Sequence, residues 1–276
     1  MTIHDAWWIS DYQFLVDANN KVYPDGHPDL YQHYTPASFT DLSTSLERII
    51  YLQDLLKKAA AVLTVSDCFA NIYRKNEITN ISTNKNGIAE TLPWAAKDTR
   101  YTDKVVCGHV GGMAEHKGYF LLKNAVMSYQ PKNIHMLIVD HAYDEDYRLD
   151  TFWGDVPVTF IGRMTQRRVV DLYRQIDVLW APSIWPESYG LVTREAAACG
   201  CWVVASAMGG IGEDVIEDRT GHVIAPTIEN IVEVLTKIAS EPTRYKALPE
   251  TSSIRSVYEQ VKELVEIYHT VQECKK

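Results

Sequence analysis

KVVCGHVGGMAEHKGYFLLKNAVMSYQPKNIHMLIVD, residues Lys104 to Asp140, reads as an apolar strand, a glycine-rich turn, a helix near Tyr119 to Ser128 and a second apolar strand. The strands KVVCGHVG and IHMLIVD run apolar without alternating, so each is buried on both faces. The pattern continues with VPVTFIG (Val156 to Gly162), a helix near Thr165 to Gln175, DVLWAPS (Asp177 to Ser183), a helix from about Leu191, and CWVVAS (Cys201 to Ser206). Apolar strands alternating with helices predict a parallel sheet with helices on both faces, a doubly wound, Rossmann-like α/β fold. Further helices are predicted at Ile228 to Ala239 and Ser256 to Val271. Before Asp103 the chain is less regular. Residues 1 to 40 are rich in aromatics, His, Asp and Pro and read as loops; Thr44 and Glu47 form a capping pair opening a helix whose apolar side carries Leu46, Ile49, Ile50, Leu55 and Leu56; AAVLTVS then reads as a buried strand.

The 276 residues, 46% of them hydrophobic, suffice for one large or two modest domains. A net charge of -9 argues against nucleic acid or an anionic membrane as the main partner, since both reward clustered Lys and Arg. The five cysteines, Cys68, Cys107, Cys199, Cys201 and Cys274, show no metal or disulfide spacing, which fits a reducing cytoplasm. Cys199 and Cys201 follow an Ala run and precede an apolar strand, so they read as packing residues. No leader or membrane span is predicted. The acidic run Asp144-Glu145-Asp146 lies in a polar loop, and no metal is expected there.

Doubly wound sheets bind ligands at the carboxyl ends of their strands. After the first strand, GGMAEHKGY (Gly111 to Tyr119) offers close backbone approach at Gly111 and Gly112, then a cation, Lys117, before a helix. That suits a diphosphate, although a turn with a solvated Lys has the same sequence. Neither GxGxxG nor GxxxxGK[ST] is present, which disfavours hydride transfer and P-loop chemistry. In PESYGLVTREAAACG, Pro186 to Gly200, Glu187 lies in a loop, Gly190 permits backbone approach, and the Leu191, Val192 and Thr193 amides open a helix whose N-terminus favours an anion. Eight helical residues would separate Glu187 from Glu195 by roughly 12 Å, too far to share one atom but suited to two ends of an elongated ligand. A nucleotide-sugar has that form. An acidic, solvated helix start is the other reading of the same residues.

The chain resembles the retaining glycosyltransferases of family 4, which have the GT-B fold of two Rossmann-like domains facing a cleft. Glu187 and Glu195 match the family's E-x7-E motif within PSIWPESYGLVTREAAACGCWVVAS; GGMAEHKG resembles its phosphate loop, RRVVDLYRQIDVLWAPS its approach to the catalytic strand, AAAVLTVSDCF and NKNGI its interdomain crossing, and TIHD the end of an amino-domain strand. The resemblance implies catalytic roles for Glu187, His4 and Lys117. Glu187 and His4 would face the donor sugar, Glu195 the ribose, Lys117 the diphosphate, and Ser188, Tyr189 and the backbone from Gly190 to Thr193 the sugar and phosphates. Many members carry an arginine where this chain has Gly112, which leaves Arg163 or Arg167 as further cations. The implied domains are 1–88, a remnant of the acceptor-side domain with the crossing; 89–255, the nucleotide-sugar domain; and 256–276, a helix returning to the amino-terminal portion.

The implied function is transfer of a sugar, with retention, from a UDP-, GDP- or ADP-sugar to a saccharide or glycolipid hydroxyl in polysaccharide or glycoconjugate assembly. No cofactor or metal is required. A homo-oligomer or a partner chain would complete the acceptor half. The alternatives are a donor-binding protein inactive alone and a GT-B sugar-nucleotide epimerase.

Overall fold

The computed structural model describes residues 1–17, 19–27, 41–89, 97, 103–250 and 254–273. The alternating segments form one seven-stranded sheet from β4 (Val105–His109), β5 (Ile134–Asp140), β6 (Arg148–Trp153), β7 (Val156–Gly162), β8 (Val178–Ala181), β9 (Trp202–Ser206) and β10 (Gly221–Ile224). A smaller sheet of β1 (Thr2–Ile3), β2 (Val62–Thr64) and β3 (Ile81–Thr83) precedes it. The helices are α1 (Leu42–Lys58) and α2 (Asp67–Lys75) by the small sheet, then α3 (Tyr119–Tyr129), α4 (Val169–Tyr173), α5 (Leu191–Ala198), α6 (Ile228–Ser240), α7 (Pro242–Lys246) and α8 (Val257–Glu273).

Strand order in the large sheet is β10-β9-β8-β4-β5-β7-β6, parallel throughout except for β6, which pairs antiparallel with β7. From β4 the chain builds outward through β5, then returns to place β8 on the other side of β4, with Cys107 opposite Val178 and Gly108 opposite Leu179. The order therefore reverses between β4 and β8. Loops leaving those two strands diverge and open a crevice at their carboxyl ends.

Side chains alternate across the sheet, as strand geometry dictates. Val105, Cys107, Met136, Ile138, Val178 and Val204 face one way and pack with Leu122 and Val126 of α3 and Leu235 of α6. Val106, Leu137, Val139, Leu179 and Val203 face the other way, against Leu172 of α4 and Ala196 of α5. Cys199 and Cys201 are fully buried in this second core, as packing residues. A third core, with Ile3, Ile9, Leu56, Val62, Phe69 and Tyr73, belongs to the small sheet.

The amino-terminal third departs from its predicted details. Asp41, not Thr44, caps α1: its carboxylate accepts from the Thr44 amide at 2.9 Å, which satisfies one of the free donors of the first turn. Ile49 and Leu56 are buried, but Ile50 is 49% and Leu55 36% exposed, so the apolar face is narrower than expected. The helix expected from Thr165 to Gln175 is a short 3-10 turn, Gln166–Arg168, leading into α4. The loop reading of residues 28–40 lies outside the described residues. The last helix, α8, is tied to the segment leaving the small sheet. Ile88 exchanges backbone hydrogen bonds with Arg255 and Val257, and the Gly87 amide donates to Gln260 at 2.8 Å. Among the described residues, no helix is long and apolar enough to cross a membrane.

Candidate nucleotide-sugar site

A cavity of about 350 Å³ opens where the strand order reverses, lined by Val110 and Gly111 after β4, His141 after β5, and Ser183 and Glu187 through Val192 after β8. Lys117 and Glu187 meet there, with Nζ 3.1 Å from Oε1. Glu187 is only 7% exposed, and the Ser183 hydroxyl also donates to its Oε1, fixing the carboxylate from behind. Its own backbone is pinned, since the Gly210 amide donates to the Glu187 carbonyl at 2.7 Å. The ammonium of Lys117 also stands over the Trp185 ring, 4.8 Å from its centroid, an arrangement that favours a cation on the aromatic face.

The two loops are clamped to each other. The Ile184 amide donates to the His116 carbonyl at 3.0 Å, and a Cβ on Gly118 would stand 2.0 Å from the Pro182 carbonyl oxygen. Gly118 also has φ +76°, a left-handed backbone that only glycine adopts without strain. An aromatic cluster extends this clamp to the amino-terminal segment: Phe14 packs edge-on against Trp185 at 4.3 Å and stacks with His116 at 5.8 Å. Burial, and then the charge of Lys117, holds the His116 imidazole below its ordinary pKa.

Helix α5 starts at the cavity wall with Gly190 in the left-handed conformation and no side chain capping it. Its open N-terminus carries the positive end of the helix dipole. The turn is locked from below by Arg194, almost fully buried, which pairs with Asp214 at 2.8 Å and lies over the Tyr189 ring. His109 is enclosed as well, its ring nitrogens facing the carbonyls of Trp180 at 3.0 Å and Gly112 at 2.9 Å, and burial lowers its pKa.

Of the residues anticipated from sequence, Gly111, Lys117, Glu187, Ser188, Tyr189, Gly190, Leu191 and Val192 line the cavity. Others do not. Gly112 lies in the turn against His141, and Thr193 turns inward to the carbonyls of Gly190 and Ile211. Glu195, one turn into α5, accepts from Gln166 at 3.0 Å and from the Tyr173 hydroxyl at 3.1 Å. Arg163 is 65% exposed, paired with Asp144 at 2.9 Å, and does not line the cavity. His4 follows β1 and is exposed.

Asn86, His109, His141, Trp180 and Ile211 also line the cavity, and none was anticipated. Only His141 carried a usable sign, its place just beyond a strand's carboxyl end. A separate hollow near Glu145 and Arg168 is lined by charges already paired with each other, Arg168 with Glu145 at 2.8 Å and with Asp171 at 3.5 Å. Glu217, Asp218 and His222 cluster by β10, but His222 is engaged by Glu217 at 2.6 Å and by the Tyr245 hydroxyl at 2.8 Å.

D-inositol 3-phosphate glycosyltransferase of Rhodococcus jostii (strain RHA1) is 40% identical over 92 residues, 33% of this chain and 20% of that protein. The corresponding protein of Mycobacteroides abscessus is 46% identical over 70 residues, 25% of this chain and 15% of that protein. These alignments thus span a fifth or less of the relatives' length. Sucrose-phosphate synthase of Thermosynechococcus elongatus superposes with a TM-score of 0.67 at 20% identity, over 85% of this chain and 64% of that one. Anabaena HepE, solved in complex with UDP and glucose, gives 0.65 at 16% identity, over 82% and 68%. At these identities the likeness establishes the fold, that of GT-B glycosyltransferases. A family described as glycosyl transferases group 1 matches residues 92–253, more than half of the sequence, and the chain belongs to it.

Proposed function

We propose that the chain binds a nucleotide diphosphate sugar in this cavity and transfers the sugar, with retention of configuration, to a hydroxyl of a saccharide or glycolipid acceptor, as a family 4 enzyme of polysaccharide or glycoconjugate assembly. The observation that carries the reading is the Lys117–Glu187 pair beside the open N-terminus of α5. A diphosphate entering the cavity competes with Glu187 for the Lys117 ammonium. Once Lys117 turns to the phosphates, the Glu187 carboxylate is free to accept from hydroxyls of the donor sugar. The bond between the anomeric carbon and the phosphate oxygen then breaks, with the developing negative charge held by Lys117 and the α5 amides. The acceptor oxygen bonds to the anomeric carbon on the same face, and its proton passes to the departing phosphate oxygen. No protein nucleophile and no metal is required.

Glu195, held by Gln166 and Tyr173, belongs to the ribose end of the donor in this reading, and His4 to the sugar end. The residues before Ile88 belong to the acceptor side in this reading, and α8 returns to it. Among the described residues the small sheet has three strands and offers little acceptor surface, which favours one second reading: a donor-binding chain that transfers only with a partner chain or a second copy.

Calorimetric titration with UDP-, GDP- and ADP-sugars tests the first step, and HepE, solved with UDP-glucose, makes the UDP-sugars the first choice. Transfer is then assayed with saccharides, glycolipids and, given the relatives' name, inositol phosphates, reading the product's anomeric configuration by NMR. An inverted product ends the retaining mechanism. Binding without transfer to any acceptor selects the second reading, and binding of no sugar nucleotide ends both.

A further inference from the structure

The glycine turn after β4 is flanked by two bases. A Cβ on Gly111 would lie 3.6 Å from the Cβ of Lys117, and one on Gly112 would lie 3.1 Å from Nδ1 of His141. Both bases line the cavity. Their states differ. Lys117 already faces Glu187 at 3.1 Å, so these two charges cancel before any ligand arrives. The third lining base, His109, is enclosed by two carbonyls and cannot turn to a ligand. A diphosphate, negative on both phosphoryl groups, would therefore meet a lysine already paired with a carboxylate, and His141 is the lining base left to turn a positive charge toward it.

His141 is exposed, and its Nε2 lies 3.1 Å from the Val110 carbonyl. Since a carbonyl only accepts, Nε2 carries a hydrogen, and in the neutral ring Nδ1 is a bare lone pair beside the glycine turn. A lone pair repels a phosphate oxygen, whereas a protonated Nδ1 donates a charge-assisted hydrogen bond to it. The charged and titratable groups around the ring are Asp140, Tyr143 and Asp144 on its own loop, His109 and Lys117 from β4 and its turn, and Glu187 across the cavity. Asp140 accepts from the Ala142 amide at 3.0 Å, and Asp144 is paired with Arg163 at 2.9 Å.

We propose that His141 is the second cationic contact for the donor's diphosphate and takes up a proton as the donor binds. The inference rests on the nucleotide-sugar reading above. It makes donor affinity pH-dependent in the range where imidazoles titrate.

The test is calorimetric titration of the full chain with UDP-glucose, GDP-mannose and ADP-glucose. Their diphosphates are esterified at both ends and do not titrate in this range, so any proton taken up is the protein's. In wild type, the binding enthalpy should vary with the ionisation enthalpy of the buffer, corresponding to uptake of up to about one proton, and affinity should fall about tenfold from about pH 6 to about pH 8.5. His141→Gln should abolish the uptake and flatten the pH dependence at the weaker, alkaline affinity. His141→Lys, with a permanent charge, should bind without pH dependence and more tightly than wild type in alkali. Proton uptake that persists in His141→Gln places the proton elsewhere and overturns the inference, as does wild-type binding without uptake. If none of the three sugars binds at any pH, the nucleotide-sugar reading fails and this inference fails with it.

Discussion

Glu187 holds Lys117 at 3.1 Å, and the proposed cycle requires that hold to be released. Hydrogen bonds to charged groups contribute about 1.5 to 3 kcal/mol, so a diphosphate displacing the carboxylate gives up part of what it gains. Glu187→Gln should therefore leave UDP affinity unchanged or raise it up to about threefold, while transfer from the sugar-bearing donor falls by about two orders of magnitude as its hydroxyl contact is lost. Titration with UDP and a transfer assay on the same preparation decide it, and a parallel loss in both would return the pair to a structural role. A second prediction concerns a histidine far from the chemistry in sequence. His27 is buried beside Tyr23, with Nε2 3.0 Å from the Ser10 hydroxyl, and burial pushes its pKa down to about 4. The unfolded chain takes up that proton near the ordinary value of 6.5, whereas the folded chain does not. Stability should accordingly fall as pH drops from about 6.5 toward 4, by on the order of 2–3 kcal/mol from this group. Urea unfolding across that range should show a shallower acid loss in His27→Gln, and equal slopes would remove His27 from the account.

At the scale of elements, Gly118 decides where Lys117 stands. It ends the short turn that carries the lysine, starts α3, and lets the Pro182 carbonyl approach to within the space a side chain would fill. Gly118→Ala combines that clash with a left-handed φ of +76° and should destabilise the chain by about 1–3 kcal/mol. It should also part Lys117 from Glu187 and weaken nucleotide diphosphate binding, whereas Gly154→Ala, at a turn between β6 and β7, should lower stability without touching affinity. Melting and titration of both variants separate the effects. The same elements explain what the sequence made legible. Strands buried on both faces announce themselves as unbroken apolar runs, so β4, β5, β7, β8 and β9 were readable, and with them the crevice at their carboxyl ends. Edge strand β6 was not, because RLDTFW mixes charge and apolar residues on a largely exposed ladder; in the small sheet β2 was readable as the buried run AAVLTVS, whereas β3, three residues long, is too short to show a period. Lys117 and Glu187 were found because a glycine turn or a helix start accompanies each. Asn86 and His109 also stand near glycines, but nothing in their sequence marks them as facing a ligand, and only the fold brings them and Ser183 to the cavity.

Across the whole molecule, the three apolar cores stay within their own sheets, and polar contacts, together with the Phe14–Trp185 contact, join the two units. Lys85, just past β3, reaches Glu213 at 3.2 Å and Asp214 at 3.1 Å beyond β9. The Cys68 amide of α2 donates to Glu213 at 2.9 Å, and the Tyr189 hydroxyl donates to the Asn86 carbonyl at 2.6 Å. Burial disfavours a charged Lys85, but Asp214 and Glu213 outweigh it and raise its pKa, so this contribution is present at neutral pH and is lost only in alkali. An interface of this kind yields to small forces, since polar contacts between units permit relative motion unless a large apolar surface backs them. Lys85→Met should cost about 1 kcal/mol and act locally, leaving Asp214 its partner Arg194. Hydrogen exchange should quicken at Cys68, Gly87 and Ile88, where the units meet, and stay unchanged in β4 and β5. Asn86 lines the cavity from the small-sheet side, so a bound sugar nucleotide should slow exchange at those same amides in wild type and restore part of the protection in the variant. Exchange that quickens uniformly through both sheets would mean that the two units open together, and the cavity would then be a feature of one cooperative body instead of a cleft closed by its ligand.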